Sequence, residues 1–290
     1  CLVGSEMCIR DRYKTEIMKI EIYHVDQAIN GSKEALEAII ENIEGPVFNL
    51  SLRMLGRIED AEDAKQDILI KVITSLSSYK GKSLFSTWVY KIAVNHLINE
   101  KNKDFVNHPL SFEIFGSDID RYVASSVDQT NPAEKKIFSE ELKLSCTNVL
   151  LQCLNPFDRL IFILGTMFDV DSRLGSEITG LSADNFRQRL SRSRKVMSTF
   201  LSEYCEHAGG KKCNCMNRVN YALSQHRIDP ALPYSSSLIP ERISTSKSAM
   251  ENIDAATALY SNLLRHSSKQ QAKEYLFNLL KTDDFSSLTK

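Results

Sequence analysis

At 290 residues the chain has room for two domains of ordinary size, each with its own core. Its 42% hydrophobic and 25% charged residues are the composition of a soluble globular protein, and 11 Gly with 7 Pro are too few for a turn-rich all-β fold. A formal net charge of −1 excludes nucleic-acid binding through overall basicity, so any such contact has to come from local basic patches.

Seven cysteines are an odd number, and three crowd together late in the chain. That reads as reduced, cytosolic cysteine with one metal or redox cluster, not as a disulfide framework. No apolar run reaches the roughly 18 residues of a membrane span, so no membrane partner is expected. The short opening stretch of mixed polarity does not read as a signal peptide. Cys1 to Arg12 reads as translated adapter sequence, and residues 1–16 are set aside as a non-native or disordered leader.

Helical periodicity predicts an all-α fold: two helical domains, a flexible linker, and a short helical C-terminal extension. Residues 17–103 read as one helical block. Ala35, Leu36, Ile39, Ile40 and Ile43 recur at helical spacing, Gly45-Pro46 punctuates them, and Val47 to Leu55 continues up to a C-capping Gly56. A new helix begins near Glu59 and runs to about Leu76. The loop Tyr79-Lys-Gly-Lys-Ser83 follows, then another helix to about Asn99. Residues 104–133 lose periodicity and carry Pro109, Gly116 and Pro132, which predicts a linker. A second helical block covers 134–204. Residues 205–290 open with a Cys/His cluster, pass a Pro/Ser-rich stretch, and close with amphipathic helices near 248–265 and 268–281.

Three surfaces carry chemistry. On the helix from Glu59, with Ala61, Ala64, Ile68 and Val72 buried, Asp60, Asp63 and Asp67 share one flank, and Glu59, Gln66 and Ile70 lie outside. Like charges at this spacing repel by a few tenths of a kcal/mol, roughly, per pair, a cost that a basic partner would relieve. In the second surface, Phe85, Trp88, Val89, Ile92 and His96 form the expected buried stripe. Thr87, Tyr90, Lys91, Val94 and Ile98 face the other way, with Asn95 at the edge. An exposed aromatic beside a cation and an amide can stack a base and hold a phosphate. Gly81-Lys82-Ser83 imitates the end of a P-loop, but Leu76 stands where the earlier glycine is required.

The third surface is a helix-turn-helix. Ser172 to Thr179 is a short helix, Gly180-Leu181-Ser182 the turn, and Ser182 the N-cap of a longer helix. Phe186, Leu190, Ser193 and Met197 form its buried stripe. Asp184, Gln188, Ser191, Arg192 and Lys195 face outward, flanked by Arg187, Arg189 and Arg194; Arg187, Gln188 and Arg192 are expected at base edges, and Arg189 and Arg194 at phosphates. Residues 186–201 hold five Lys/Arg and no acid, which suits a helix laid into a major groove.

Beyond it, Cys205, His207, Cys213 and Cys215 place four soft ligands within eleven residues. Three readings stand: a zinc site, although a C-x-C pair is tighter than usual; a redox site in which Lys211 and Lys212 lower the Cys213 thiol pKa; or free cysteines.

Taken in order, Leu52-Arg-Met-Leu-Gly56, Asp60-Ala-Glu-Asp-Ala64 with Gln66-Asp67, Phe85-Ser-Thr-Trp-Val-Tyr-Lys-Ile-Ala-Val-Asn95 and Phe186-Arg-Gln-Arg-Leu-Ser-Arg-Ser-Arg194 resemble the extracytoplasmic-function (ECF) group of bacterial sigma factors. The similarity covers about 36–204. The Cys-rich tail is similar, more loosely, to a subgroup with a C-terminal extension. The resemblance implies a first domain that binds the RNA polymerase clamp through Asp60, Glu62, Asp63, Gln66 and Asp67, with Ile70 as an apolar contact. The same domain would open the −10 element with Tyr79, Lys80, Lys82, Ser83, Thr87, Tyr90, Lys91 and Asn95. It implies a second domain that reads the −35 element with Ala183 to Arg194. Core polymerase and promoter DNA are the implied partners, an anti-sigma protein is a further candidate, and no cofactor is required. Asn155-Pro-Phe-Asp158, Phe168-Asp-Val-Asp171 and Arg173-Leu-Gly-Ser-Glu177 depart from the group's usual wording.

The competing reading is a helix-turn-helix regulator that binds duplex DNA without polymerase, which leaves the acidic helix and aromatic loop without a role. An enzyme has little support, since HExxH, GxSxG and a complete P-loop are all missing.

Overall fold

The computed structural model describes residues 22–107, 110–121, 131–225 and 227–228; the two C-terminal helices expected near 248–265 and 268–281 lie outside them. Among the described residues the chain is helical apart from one isolated bridge between Cys205 and Cys213, the all-α fold that the periodicity predicts. Residues 22–100 with 176–181 belong to one compact unit, and 101–175 with 182–228 to another.

In the first unit, α1 (Ile22–Ile29), α2 (Lys33–Leu55), α3 (Ile58–Thr74) and α4 (Phe85–Asn107) follow in order. Ser32 N-caps α2 through the Ala35 amide, satisfying one of the donors a helix start leaves open. The helix then runs unbroken through Pro46, where the sequence suggested punctuation. Proline removes one backbone bond; the burial of Ile43, Val47 and Leu50 on either side outweighs that loss. Gly56 ends the helix in the left-handed conformation, φ 89°, with its amide on the Leu52 carbonyl. That is the C-cap expected, and a position where a Cβ would strain the backbone. α2 packs against both α1 and α3. Ile39, Ile40, Ile43, Leu50 and Leu52 of α2 and Ile68, Leu69 and Val72 of α3 are all essentially without exposure, each contributing roughly 1.5–3 kcal/mol of burial.

The second unit contains α5 (Phe112–Asp120), α6 (Pro132–Gln152), α7 (Pro156–Phe162), the first turn of α8 (Ser172–Thr179), α9 (Ala183–Tyr204) and α10 (Cys215–Ser224). Asn155 N-caps α7 by accepting from the Asp158 amide, with Pro156 in the first turn, so this departure from the family wording is a cap with its own logic. α7 runs on into a π turn over Ile163–Met167. Arg159, wholly buried, donates to the carbonyls of Leu151 (2.7 Å), Gln152 (2.7 Å) and Leu154 (2.9 Å) and to the Gln152 amide oxygen (2.6 Å). One guanidinium thereby satisfies the carbonyls that the end of α6 leaves open.

Where a structureless linker was expected, residues 112–120 form α5, N-capped by Ser111 through the Ile114 amide. Phe112 and Phe115 lie 5.4 and 5.6 Å from the Phe200 ring of α9. A Cβ at Gly116 would come within 2.6 Å of the Tyr204 hydroxyl, so the helix approaches because residue 116 has no side chain. Asp118 accepts from Arg227 (2.7 Å), Tyr221 (3.0 Å) and Arg218 (3.1 Å), joining α5 to α10. Nine residues with two aromatics in the first turn are too short a window for periodicity to register.

Candidate functional site

The acidic flank is built on α3, whose apolar face holds Ala61, Ala64, Ile68 and Val72 inside as expected. Asp63 and Asp67 are exposed. Asp60 is half-exposed and lies 3.7 Å from Arg57, while Gln66 and Ile70 are half-buried. Glu62 departs from the expectation: it pairs within the helix with Lys65, whose ammonium is entirely buried. A carboxylate holding a buried cation is committed to the fold, which leaves Asp63 and Asp67 as the open charges of the set. Asp67 Oδ2 lies 3.9 Å from Nε2 of His96, which is buried as expected, and Lys71 Nζ lies 2.6 Å from its Nδ1.

In the loop before α4, Tyr79 is turned inward. Its hydroxyl donates to the Ser83 carbonyl at 2.7 Å, and its ring meets Phe85 and Trp88 at 5.3 and 5.5 Å. Gly81, at φ 67°, makes the turn that leaves Lys80 and Lys82 exposed. Thr87 and Tyr90, assigned to the open face, are 1% and 5% exposed, so neither they nor Tyr79 presents a free surface to a base in this conformation. The reason is that α4 is apolar nearly all round. Val89, Tyr90, Ala93, Val94 and Leu97 are all buried, and a helix apolar on every side is buried on more than one face. Trp88 and Ile92, expected inside, are half-buried, as are Ser83 and Lys91, and Asn95 is exposed. The sequence reading missed Leu84, 71% exposed at the head of α4 beside Lys82. A leucine next to a Lys-Gly-Lys loop was the available signal.

The helix-turn-helix has its expected form. Ser182 accepts from the Asn185 amide at 3.2 Å, Gly180 turns at φ 74°, and Phe186, Ser193 and Met197 are buried with Leu190 half-buried. Asp184, Arg187, Gln188, Ser191, Arg192 and Lys195 are exposed; Arg187 also reaches Ser172 Oγ at 3.1 Å and pairs with Asp184. Two arginines assigned to phosphates are engaged within the domain. Arg189 pairs with Asp158 at 2.7 Å and sits 5.2 Å from the Phe157 ring. Arg194 donates to Thr166 Oγ1 at 3.0 Å and the Gly165 carbonyl at 2.9 Å. Both side chains prop α9 against α7 and its π turn.

Residues 39–104 match the family model for Sigma-70 region 2. Over a longer span the chain is similar to the ECF RNA polymerase sigma factor SigW of Bacillus subtilis, 25% identical over 174 residues that make up 60% of this chain and 92% of the relative. It is 24% identical to the ECF RNA polymerase sigma-E factor of Escherichia coli K12 over 183 residues, 60% of this chain and 90% of the relative. With the corresponding factor of Haemophilus influenzae it shares 29% identity over 120 residues, 41% of this chain and 62% of that one. The acidic flank, the aromatic loop and the exposed positions of α4 described above all fall inside the region 2 domain, and the helix-turn-helix lies beyond it.

The Cys/His cluster lies outside the region 2 domain as well. Cys205 and Cys213 are bridged through their backbones, with Cys213 N–H on the Tyr204 carbonyl (2.8 Å) and Glu206 N–H on the Cys213 carbonyl (3.1 Å). Burial pushes the thiols of Cys205 and Cys213 up and that of Cys215 to about 12. Cys146 of α6, which the sequence reading did not connect to the cluster, is pushed up by burial and then by the neighbouring Cys215, Cys213 and Cys205. The expected lowering of Cys213 by Lys211 and Lys212 is therefore reversed: both lysines are exposed, and Lys212 is held by Glu203 and Asp120. The Cys3His set of the zinc reading does not assemble either: His207 is exposed, and among the described residues no three His, Cys, Asp or Glu converge to hold a metal ion.

Proposed function

We propose that this chain is a sigma factor of the ECF type: it binds core RNA polymerase, recognises promoter DNA and promotes strand opening at the start of transcription. One observation carries the reading, the presence in one chain of a sigma-70 region 2 domain over 39–104 and an exposed basic recognition helix after it, in a sequence that aligns with 92% of an ECF sigma factor. A regulator acting without polymerase has no use for the region 2 domain.

Within this reading Asp63 and Asp67, flanked by Asp60, Gln66 and Ile70, meet the polymerase. Lys80, Lys82, Leu84, Lys91 and Asn95 meet the unpaired −10 bases, with Ser83 and the half-buried Trp88 behind them. Arg187, Gln188 and Arg192 read the −35 element, with Asp184, Ser191 and Lys195 along the groove. The factor works in the cytoplasm, is not an enzyme, and needs no cofactor. The domain roles are those of the sequence reading: polymerase and −10 binding in 17–103, −35 binding in 134–204. Cys205, Cys213 and Cys215 support a place in the subgroup with a Cys-rich C-terminal extension, and an anti-sigma protein is the natural antagonist of such a factor.

Promoter-directed transcription with purified core polymerase and a library of start regions tests the reading. Start sites that share −35 and −10 elements only when this chain is added are the expected result. DNA binding without core association would return the chain to the regulator class.

A further inference from the structure

His96 sits between two charged side chains of the neighbouring helix. Lys71 and Asp67 are one turn apart on α3, so both face the same patch of α4. Lys71 Nζ approaches the imidazole at Nδ1, 2.6 Å away, and Asp67 Oδ2 approaches at Nε2, 3.9 Å away. An ammonium group can only donate a hydrogen bond. Nδ1 therefore accepts, the single proton of the neutral ring is on Nε2, and that N–H is the one nearer Asp67. The ring is buried, with 7% exposure, whereas Lys71 and Asp67 are both exposed.

We propose that His96 is a proton-sensitive positioning residue for the polymerase-binding carboxylate of Asp67. This rests on the polymerase-binding reading of the acidic flank. While the ring is neutral, Lys71 is held at Nδ1 and the Asp67 carboxylate stays available to a basic partner. When Nδ1 gains a proton, two donors face each other across 2.6 Å, and Lys71, which is exposed, swings into solvent. The imidazolium, now carrying a full charge at Nε2, draws Asp67 inward and competes with the partner's cation. Histidine changes charge between about pH 5 and 8, so acidification weakens the polymerase contact by withdrawing one of its two open carboxylates. The same movement ties α3, which carries the acidic flank, to α4, which carries the −10 residues.

Two measurements on the full chain separate this proposal from the reading beneath it. In the first, the titration of the His96 ring is followed by NMR in the native protein and in the Lys71→Gln and Asp67→Asn variants, both altered at exposed positions. Loss of the Lys71 ammonium raises the midpoint and loss of the Asp67 carboxylate lowers it, each by about one pH unit. A midpoint that neither substitution moves overturns the proposal. In the second, binding to core polymerase is measured from pH 5.5 to 8. Native protein loses affinity several-fold toward the acid end, and His96→Gln is flat over the range. Equal pH dependence in the two proteins also overturns it. Absence of polymerase binding at every pH, together with the expected NMR shifts, instead strikes the functional reading and leaves the Lys71–His96–Asp67 coupling standing. Should His96→Gln fail to fold, Lys71→Gln serves as the binding variant: its raised midpoint moves the loss of affinity to higher pH, and a profile identical to native overturns the proposal.

Discussion

The ammonium of Lys65 lies 5.4 Å from the ring centroid of Phe48 with no solvent exposure, a charge placed inside the first unit where the sequence pattern shows only a polar residue between Ala64 and Gln66. Its carboxylate partner, Glu62, is one turn earlier on the same helix. Replacing Glu62 with Ala leaves that cation buried without its main counter-charge, and the loss is on the order of 3 kcal/mol. Urea denaturation of the variant is expected to show a midpoint well below that of native protein. An Asp63→Ala control, altered at an exposed position, is expected to match native.

The converse applies to the open charges. Asp63→Lys combined with Asp67→Lys is expected to abolish core polymerase binding and leave the circular dichroism spectrum and thermal midpoint within a few degrees of native. Unchanged affinity in a pull-down would remove the acidic flank from the interface.

On the recognition helix, the arginines divide into two classes. Arg192→Ala is expected to cost roughly 1–3 kcal/mol on the preferred −35 sequence and to relax the preference at one base pair. Arg194→Ala removes the bonds to Thr166 and Gly165, so its primary effect is on stability, a loss of roughly 1–3 kcal/mol. Thermal melts beside binding to a randomised −35 library separate the two. An Arg194→Ala protein as stable as native would return that arginine to the phosphate contacts.

The docking of α5 depends on acid. Asp118 is held below its ordinary value of 3.8, first by its hydrogen bond from Arg227 and further by Tyr221 and Arg218. A depressed carboxylate contributes stability that is complete above 3.8 and lost as pH falls through the lower folded value. Hydrogen-exchange protection of the α5 amides, taken relative to the intrinsic rate at each pH, is therefore expected to fall below that range in native protein. In Asp118→Asn protection is low already at neutral pH and changes little with acid.

Alkali acts on the cysteines. Burial raises Cys153 and Cys215 to about 12, so the folded protein retains protons there that the unfolded chain gives up near pH 9. The stability tied to those thiols is complete below that value and is lost progressively toward pH 12. Iodoacetamide labelling of Cys153 and Cys215 at pH 8 is expected to lag far behind that of a free thiol and to rise steeply with pH. Prompt labelling at pH 8 would contradict the burial.

Much of this arrangement is legible in the sequence because local signals agree with the global fold. The left-handed cap at Gly56, the Ser182 cap and the 3.6-residue stripe of α3 each depend on neighbours within a turn or two. The open face of α4 was misread because Thr87 and Tyr90 look polar in a window. What surrounds α4 on its other sides is set by residues distant in sequence. The same limit explains Glu62, Arg189 and Arg194: whether a charge is free depends on a partner, and only Lys65 of those partners is close in sequence. Cys146 stands nearly sixty residues before Cys205, beyond the reach of any spacing argument.

Two glycines determine how α9 is seated. A Cβ at Gly165 would lie 2.4 Å from Leu190, and one at Gly175 would lie 2.5 Å from Phe186. Gly175 lies in the Arg173–Glu177 segment, one of those that depart from the usual wording of the group the sequence resembles. The helix therefore rests on bare backbone at two points, through contacts that carry no charge. Counter-ions that weaken its hold on phosphates leave these two contacts untouched, although they screen the Arg189–Asp158 pair that also props the helix. The fall of −35 binding with ionic strength then counts the counter-ions released from phosphates together with the loosening of that one pair, and the salt dependence of the thermal midpoint separates the two.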